Sequence, residues 1–547
     1  MKPYRWATEG DVNAFFGLML DNIAGLVLTV GLLATAFDFP ADFALRYMIP
    51  GTALGVLVGD LLFTRMAFKL AERTGRTDVT AMPLGLDTPS TFGMVFFVLG
   101  PAFLEARDVR GLEVDQAARY AWQIGMASIV LSGILKLGCA AAANWVRRSL
   151  PRAGLLGSLT AIALVLISFL PLLDITQFPL VGLLALVVIL ATLTARISLP
   201  GRLPGALGAL LIGGTAYYVL RWWGVIPGAV EGPPIEPQLA LLWPRPTLAW
   251  AAVLGDALRY LPIVIPFALA TVVGGLDCTE SAAAAGDEYH TGQVIAVEGL
   301  ATLVAGMTGG VIQTTPYIGH PAYKAMGGRA AYTLATALFV GGAGILGYFS
   351  YLYLVIPKAA IFPILIFVGL EITAQSFAAT PRRHYPAVAL ACVPAMAYLV
   401  MLFADNIAGQ LNQSLAALHP PLNVQLQTMR TLSAGFIVTS LLWASMLAAL
   451  IDRRLRLAAV YLLVAAVCSL FGVIHSPLPG SPLLVPWDLP ELPEAAVGQS
   501  PLSWGAAYAL SAALLWVWSW RGAAAPRPGE SLHASVAADS AYVEEEL

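Results

Sequence analysis

Apolar runs recur along the whole chain. There are sixteen, near residues 13–34, 48–66, 80–101, 120–143, 153–172, 177–195, 204–222, 261–285, 292–312, 314–328, 331–356, 360–378, 385–404, 430–451, 455–474 and 503–520. A helix needs about 20 apolar residues to cross a bilayer, and most of these runs are of that length. In hydrocarbon every backbone polar group must be paired internally, so the runs predict an all-α polytopic membrane protein. Charged residues make up 12% of the chain and hydrophobic ones 58%, against about 25% charged in soluble domains. The net charge of −3 comes with no basic patch, which argues against a nucleic-acid partner. Four cysteines lie in or beside apolar runs without metal-ligand spacing, so neither disulfides nor a metal site is expected. No cofactor motif stands out. The start, MKPYRWATEGD, is too polar for a signal-peptide core.

The basic residues orient the chain. With the N-terminus cytoplasmic, about 20 of the 30 Lys and Arg fall on the cytoplasmic side and about 9 outside. The clusters are Arg65, Lys69, Arg73 and Arg76; Arg147, Arg148 and Arg152; Arg382 and Arg383; and Arg453, Arg454 and Arg456. An even number of crossings with both ends in the cytoplasm follows, as in a bacterial-type plasma membrane. The organisation reads as an N-terminal stretch (1–12), a first repeat (13–222), a second repeat (261–451), two additional helices (455–520) and a polar, acidic tail (521–547) expected to be disordered.

The repeat rests on matching polar positions. LMLDNIAGL in segment 1 aligns with GGLDCTESA in segment 8, placing Asp21 on Asp277. TAMPLGLDTPS in segment 3 aligns with QTTPYIGHPAY in segment 10, placing Pro83 on Pro316 and Asp87 on His320. Seven segments separate the halves. Seven is odd, so the second half enters the membrane inverted, the layout of many secondary transporters. Segments 3 and 10 are interrupted by Pro and Gly and are expected to be broken and partly extended. Such matched broken segments point to a binding site at the midplane.

Intramembrane acids are costly, about 2.5–3.5 kcal/mol each on insertion scales, and by default mark function. Asp277, Glu280 and Ser281 share one helical face. Two acids held close in low dielectric do not both ionise easily, which suits them to proton carriage or to hydrogen bonding a polar ligand. Gly17, Asp21 and Gly25 form a stripe on segment 1, where Asp21 and Asn22 either line the site or lock segment 1 to segment 8. Gln313, Thr314, Thr315 and freed backbone groups suit a planar, hydrogen-bonding substrate. His320 is a candidate to protonate during a cycle. Asp60, Glu298 and Glu371 read as structural or proton-path groups, and Asp405 as a helix end.

GGLDCTESAAAAG, then VEGLATLVAGMTGGVIQTTPYIGHPAYKAMGG, resembles segments 8 to 10 of the xanthine/uracil permease (nucleobase/ascorbate transporter) family. The likeness is nearest to its adenine/guanine/hypoxanthine branch, with this chain a divergent member. The resemblance implies a seven-plus-seven inverted-repeat fold over about residues 10–450. A core domain (segments 1–4 and 8–11) moves against a gate domain (5–7 and 12–14), and short strands from segments 3 and 10 meet at the midplane. The family's substrate acid falls on Asp277, with Glu280 one turn on, and its Thr pair on Thr314–Thr315, followed by Tyr317. Its second acid falls on Ile318, so His320 or Asp87 is the candidate replacement. The implied activity is proton-coupled uptake of a purine-like base by an elevator motion, with the possibility of a homodimer built through the gate. Glu298, Asp21, Asn22 and Gln313 would line the core or couple protons. The alternatives on the same fold are an anion transporter of the sulfate or bicarbonate type, or sodium coupling through Asp277. An intramembrane aspartyl enzyme is the reading from another class.

Overall fold

The computed structural model describes residues 4–520 apart from 142–151, 227–238, 245, 318, 412–414, 416–417, 480, 482–483, 485, 488–491 and 493. The expected disordered tail, 521–547, lies outside the described residues, as do most of the loop arginines at 147–152. The first half comprises α1 (Gly10–Phe37), α2 (Ile49–Thr74), β1 (Leu84–Leu86), α3 (Thr88–Val109), α4 (Val114–Ala141), α5 (Leu156–Thr176), α6 (Pro179–Thr194) and α7 (Gly205–Trp222). The second comprises α8 (Leu261–Ala284), α9 (Thr291–Met307), β2 (Thr314–Pro316), α10 (His320–Ala325), α11 (Ala331–Ile345), α12 (Phe349–Val355), α13 (Lys358–Ala378), α14 (Tyr385–Leu411), α15 (Leu422–Ser433) and α16 (Phe436–Ile451). Two more helices, α17 (Leu455–Leu470) and α18 (Pro501–Trp520), pack against each other beside α16.

Nine helices among the described residues are long and apolar enough to cross a membrane, or eleven if the bent pairs α11–α12 and α15–α16 each count as one span. The protein is therefore a polytopic membrane protein. The bends, 93° and 73°, fall inside runs that the sequence presents as continuous. Each contains a glycine with positive φ, Gly347 at 74° and Gly435 at 65°, a conformation that carries little penalty only without a Cβ.

The two halves interlock around β1 and β2. α2 packs on α9; α4 of the first half packs on α9, and α11 of the second packs on α2. This reciprocal exchange is what a two-fold relation between inverted repeats requires. Small residues permit the approach. A Cβ on Gly51 would lie 2.3 Å from the Gly310 nitrogen, and one on Gly55 2.7 Å from the Ala305 Cβ. The strands pair antiparallel, with Leu84 opposite Pro316, Gly85 opposite Thr315 and Leu86 opposite Thr314, a register that maps onto itself when the halves are exchanged.

A two-stranded ribbon has two unpaired edges, and at membrane depth no water reaches them. Side chains take the place of the missing strands. On the β1 edge, Asn22 Oδ1 accepts from the Leu86 N–H at 3.1 Å, Asn22 Nδ2 donates to the Leu84 carbonyl at 3.5 Å, and Asp60 Oδ1 accepts from the Leu84 N–H at 3.0 Å. On the β2 edge, Thr302 Oγ1 accepts from the Thr314 N–H at 3.2 Å, Lys136 Nζ donates to the Thr314 carbonyl at 2.9 Å, and Cys278 Sγ donates to the Pro316 carbonyl at 3.3 Å. Asn22 on α1 and Cys278 on α8 therefore do equivalent work in the two halves, which agrees with the alignment of Asp21 on Asp277. Lys136 is fully buried and pairs with the fully buried Glu298 at 2.8 Å.

Two stability effects follow. Lys136→Met leaves Glu298 buried and uncompensated and should destabilise the protein by about 3–5 kcal/mol, with less loss when Glu298→Gln is added. Asn22→Leu strips the β1 edge and should cost about 2–4 kcal/mol. Thermal unfolding of the purified variants checks both.

Candidate functional site

Successive strand residues point to opposite sides, and directly opposed residues share a side. Leu84, Leu86, Thr314 and Pro316 face the packed interior and are buried. Gly85 and Thr315 face the other way, and the alternation carries on to Asp87 and Tyr317, whose N–H groups extend the ladder to Gln313 and Pro83 at 3.0 and 2.8 Å. Asp21 on α1 stands over this face. Its Oδ2 lies 3.6 Å from where a Cβ on Gly85 would be, with the Tyr317 ring 3.9 Å from the same point. Asp21 is 8% exposed and makes no hydrogen bond among the described residues. Thr315 and Tyr317 are half-buried, and neither hydroxyl has a partner among the described residues. Asp87, also 8% exposed, caps α3 by accepting from the Ser90 N–H at 2.8 Å, so the positive end of that helix already holds a carboxylate.

This face borders a seam between two groups of helices. Ala270 and Val273 of α8 pack against Leu159 of α5 and Leu441 of α16. Positions 277 and 280 follow Val273 by four and seven residues and so fall on the same stripe of α8; the side chains of Asp277 and Glu280 lie outside the described residues. A Cβ on Gly274 would meet nothing within 4 Å. Across the seam, Glu371 of α13 accepts from Gln375 Nε2 at 2.9 Å. The structure thus gathers Asp21, Asp87, Thr315 and Tyr317 on one face, with the backbone of positions 277 and 280 beside them.

Other candidates lie elsewhere. Gln313 turns to Ser132, whose hydroxyl donates to its Oε1 at 2.7 Å. Thr314 Oγ1 is 3.2 Å from Thr302 Oγ1. With Asn22 and Glu298, these are ribbon braces. His320 sits at the first position of α10, toward the membrane face that holds the N-terminus. There its Nε2 is 3.2 Å from the Thr80 carbonyl and 3.3 Å from Asp287 Oδ2. Asp287 is the hub of that cluster. It is fully buried, bridges Lys324 at 2.6 Å and Arg76 at 3.2 Å, and accepts from the Thr80 N–H at 3.0 Å. Burial alone would raise its pKa, but hydrogen bonds from His320, Lys324 and Thr80 hold it below the ordinary carboxylate value. Aligning the halves on proline obscured the difference between Asp87 and His320. Asp87 follows β1 directly, whereas three residues separate β2 from His320. Asp287 carried no signal, since an acid in GDEYH reads as an ordinary loop residue.

No protein-family model matches the chain, and no curated protein does. Solved structures do. The transmembrane domain of a cyanobacterium bicarbonate transporter, BicA, is similar at 14% identity and TM-score 0.45 over 80% of this chain and 98% of that one. SLC26A9 is similar at 14% and 0.46, over 79% and 66%. Murine Slc26a9, an anion transporter in the inward-facing state, is similar at 13% and 0.42, over 75% and 69%. At this identity and score they assign no substrate. They do correct the resemblance to the xanthine/uracil permease family, because the neighbours found are a bicarbonate transporter and anion transporters. There is a physical reason why the motif misled. Its Cys278, Thr314 and Pro316 form or brace the ribbon, so it records how the strands are held rather than what is bound.

The Asp287 cluster has a pH signature. A carboxyl with a depressed native pKa contributes stability that is complete above its unfolded value, about 3.9, and is lost as pH falls through the native value. Asp287→Asn should therefore unfold several degrees below the unaltered protein at pH 7, and the gap should close as pH drops below about 4. Thermal unfolding across pH measures it.

Proposed function

We propose that this chain is a secondary transporter that moves a small anion together with protons, by shifting the ribbon-bearing helices against the α5–α7, α13, α14 and α16 group. The observation that carries this reading is the ribbon's division of labour. Its edges and inner face are held by braces, while the Gly85–Thr315 face borders the seam, where the Thr315 and Tyr317 hydroxyls and Asp21 have no hydrogen-bond partner among the described residues. Hydroxyl donors suit the acceptor oxygens of an oxyanion. An ionised Asp21 would repel that anion, so a proton on Asp21 must accompany it. Coupling of anion to proton then follows from charge neutrality in low dielectric, with Glu371, Asp277 and Glu280 as further acids along the seam. The Lys/Arg bias orients the N-terminal face to the cytoplasm.

A reconstituted flux assay with labelled bicarbonate, sulfate and chloride tests the reading. An inward proton gradient should drive uptake of at least one of them. Asp21→Asn, a neutral isostere of the protonated acid, should still carry the anion but remove the response of flux to the proton gradient, in line with the charge-neutrality argument. Full gradient-driven flux in Asp21→Asn would remove Asp21 from the coupling path. Drive by a sodium gradient alone would favour a sodium-coupled carrier, which an acid-rich seam also accommodates.

A further inference from the structure

We infer that Lys358 forms an anion subsite at the mouth of the seam on the membrane face opposite the N-terminus, resting on the anion-transport reading above. Lys358 is the first residue of α13, and residues 358–361 pack against α5, α6 and α7. Its side chain nevertheless crosses the seam to the ribbon-bearing group. Its Cε and Nζ each lie 3.3 Å from where a Cβ on Gly31 of α1 would be. Gly31 is ten residues beyond Asp21, about 15 Å further along the helix. The ammonium group is therefore a cation on the route between that face and the ribbon.

Lys358 has no hydrogen bond and no ion pair within 4.0 Å among the described residues, although it is half-buried. Asp174 of α5 acts on it through space, without an ion pair within 4.0 Å. An anion reaching this half-buried lysine would therefore find an ammonium group committed to no described side chain, in a setting where a charge-assisted bond is strong. The contrast with Lys136 is direct, since that lysine is neutralised by Glu298 and bonded to the ribbon. Because Lys358 is anchored on one group and touches the other, its contact with Gly31 changes whenever the two groups slide. It is placed to admit an anion and to release it as α1 moves past.

The test uses the full chain in liposomes, with bicarbonate, sulfate and chloride supplied from each side in turn. Lys358→Gln should raise KM about five- to tenfold for the transported anion presented to the face opposite the N-terminus, with kcat and the KM from the other face little changed. Lys358→Arg should restore most of the affinity. If the lysine serves only to balance Asp174, the Lys358→Gln/Asp174→Asn double variant should recover normal KM; the subsite predicts that it does not. An unchanged, sidedness-free KM in Lys358→Gln, with the unaltered protein transporting normally, would overturn the subsite alone. Absence of anion flux in the unaltered protein would overturn the transport reading and the subsite with it.

Discussion

A two-stranded ribbon cannot persist in hydrocarbon unless something replaces the strands it lacks, and several of the costly residues in this membrane protein meet that constraint. Asn22, Asp60, Lys136, Cys278 and Thr302 come from five helices and pair with the two edges. Each unpaired backbone group at that depth would cost several kcal/mol, so a carboxylate, an amide and a lysine are tolerated because they prevent a larger loss. The same braces fasten α1, α2, α4, α8 and α9 to the ribbon. The ribbon is therefore fastened to those helices, and in the proposed transport cycle relative motion falls on the seam, where Val273 packs on Leu441.

The polar residues accordingly sort into two kinds. Braces point inward and are spoken for. Seam residues, Asp21, Thr315 and Tyr317 on the other face and Lys358 further along α1, keep donors or acceptors without a partner among the described residues. Polarity alone does not separate the kinds: Asp60 and Asp21 are both buried acids, yet one holds the Leu84 N–H and the other holds nothing among the described residues. Only the alternation along the strand, which sends Thr314 inward and Thr315 outward, tells them apart.

Much of the fold was legible in the sequence because its causes are local. Pro83, Pro316 and the glycines around them cannot continue a helix, so the broken segments were visible, and the inverted relation followed from an odd separation. The alignment of Asp21 on Asp277 agrees with the equivalent contacts of Asn22 and Cys278. The bends at Gly347 and Gly435 were not legible, since a glycine in an apolar run says nothing of its φ. The site was only partly legible. Asp21, Asp87, Thr315 and Tyr317 were named and are grouped together, but Asn22, Gln313, Thr314 and Glu298 face the packing, and His320 joins Asp287. Which face a side chain takes depends on strand register and on neighbours far away in the chain. Lys136 and Lys358 illustrate the limit: both are lysines in apolar surroundings, and only the three-dimensional partners separate a buried ion pair from a lysine with no partner among the described residues.

The central claim is that one face of the ribbon is saturated and the other open. Cysteine accessibility measures this most directly. In a background with Cys139, Cys278, Cys392 and Cys468 replaced, Thr315→Cys and Thr314→Cys are treated in liposomes with a small, membrane-impermeant thiol reagent. The expected result is reaction at 315, slowed by the transported anion, and none at 314. Equal labelling at both positions, or labelling at 314 alone, would contradict the division of the ribbon into a braced face and an open one.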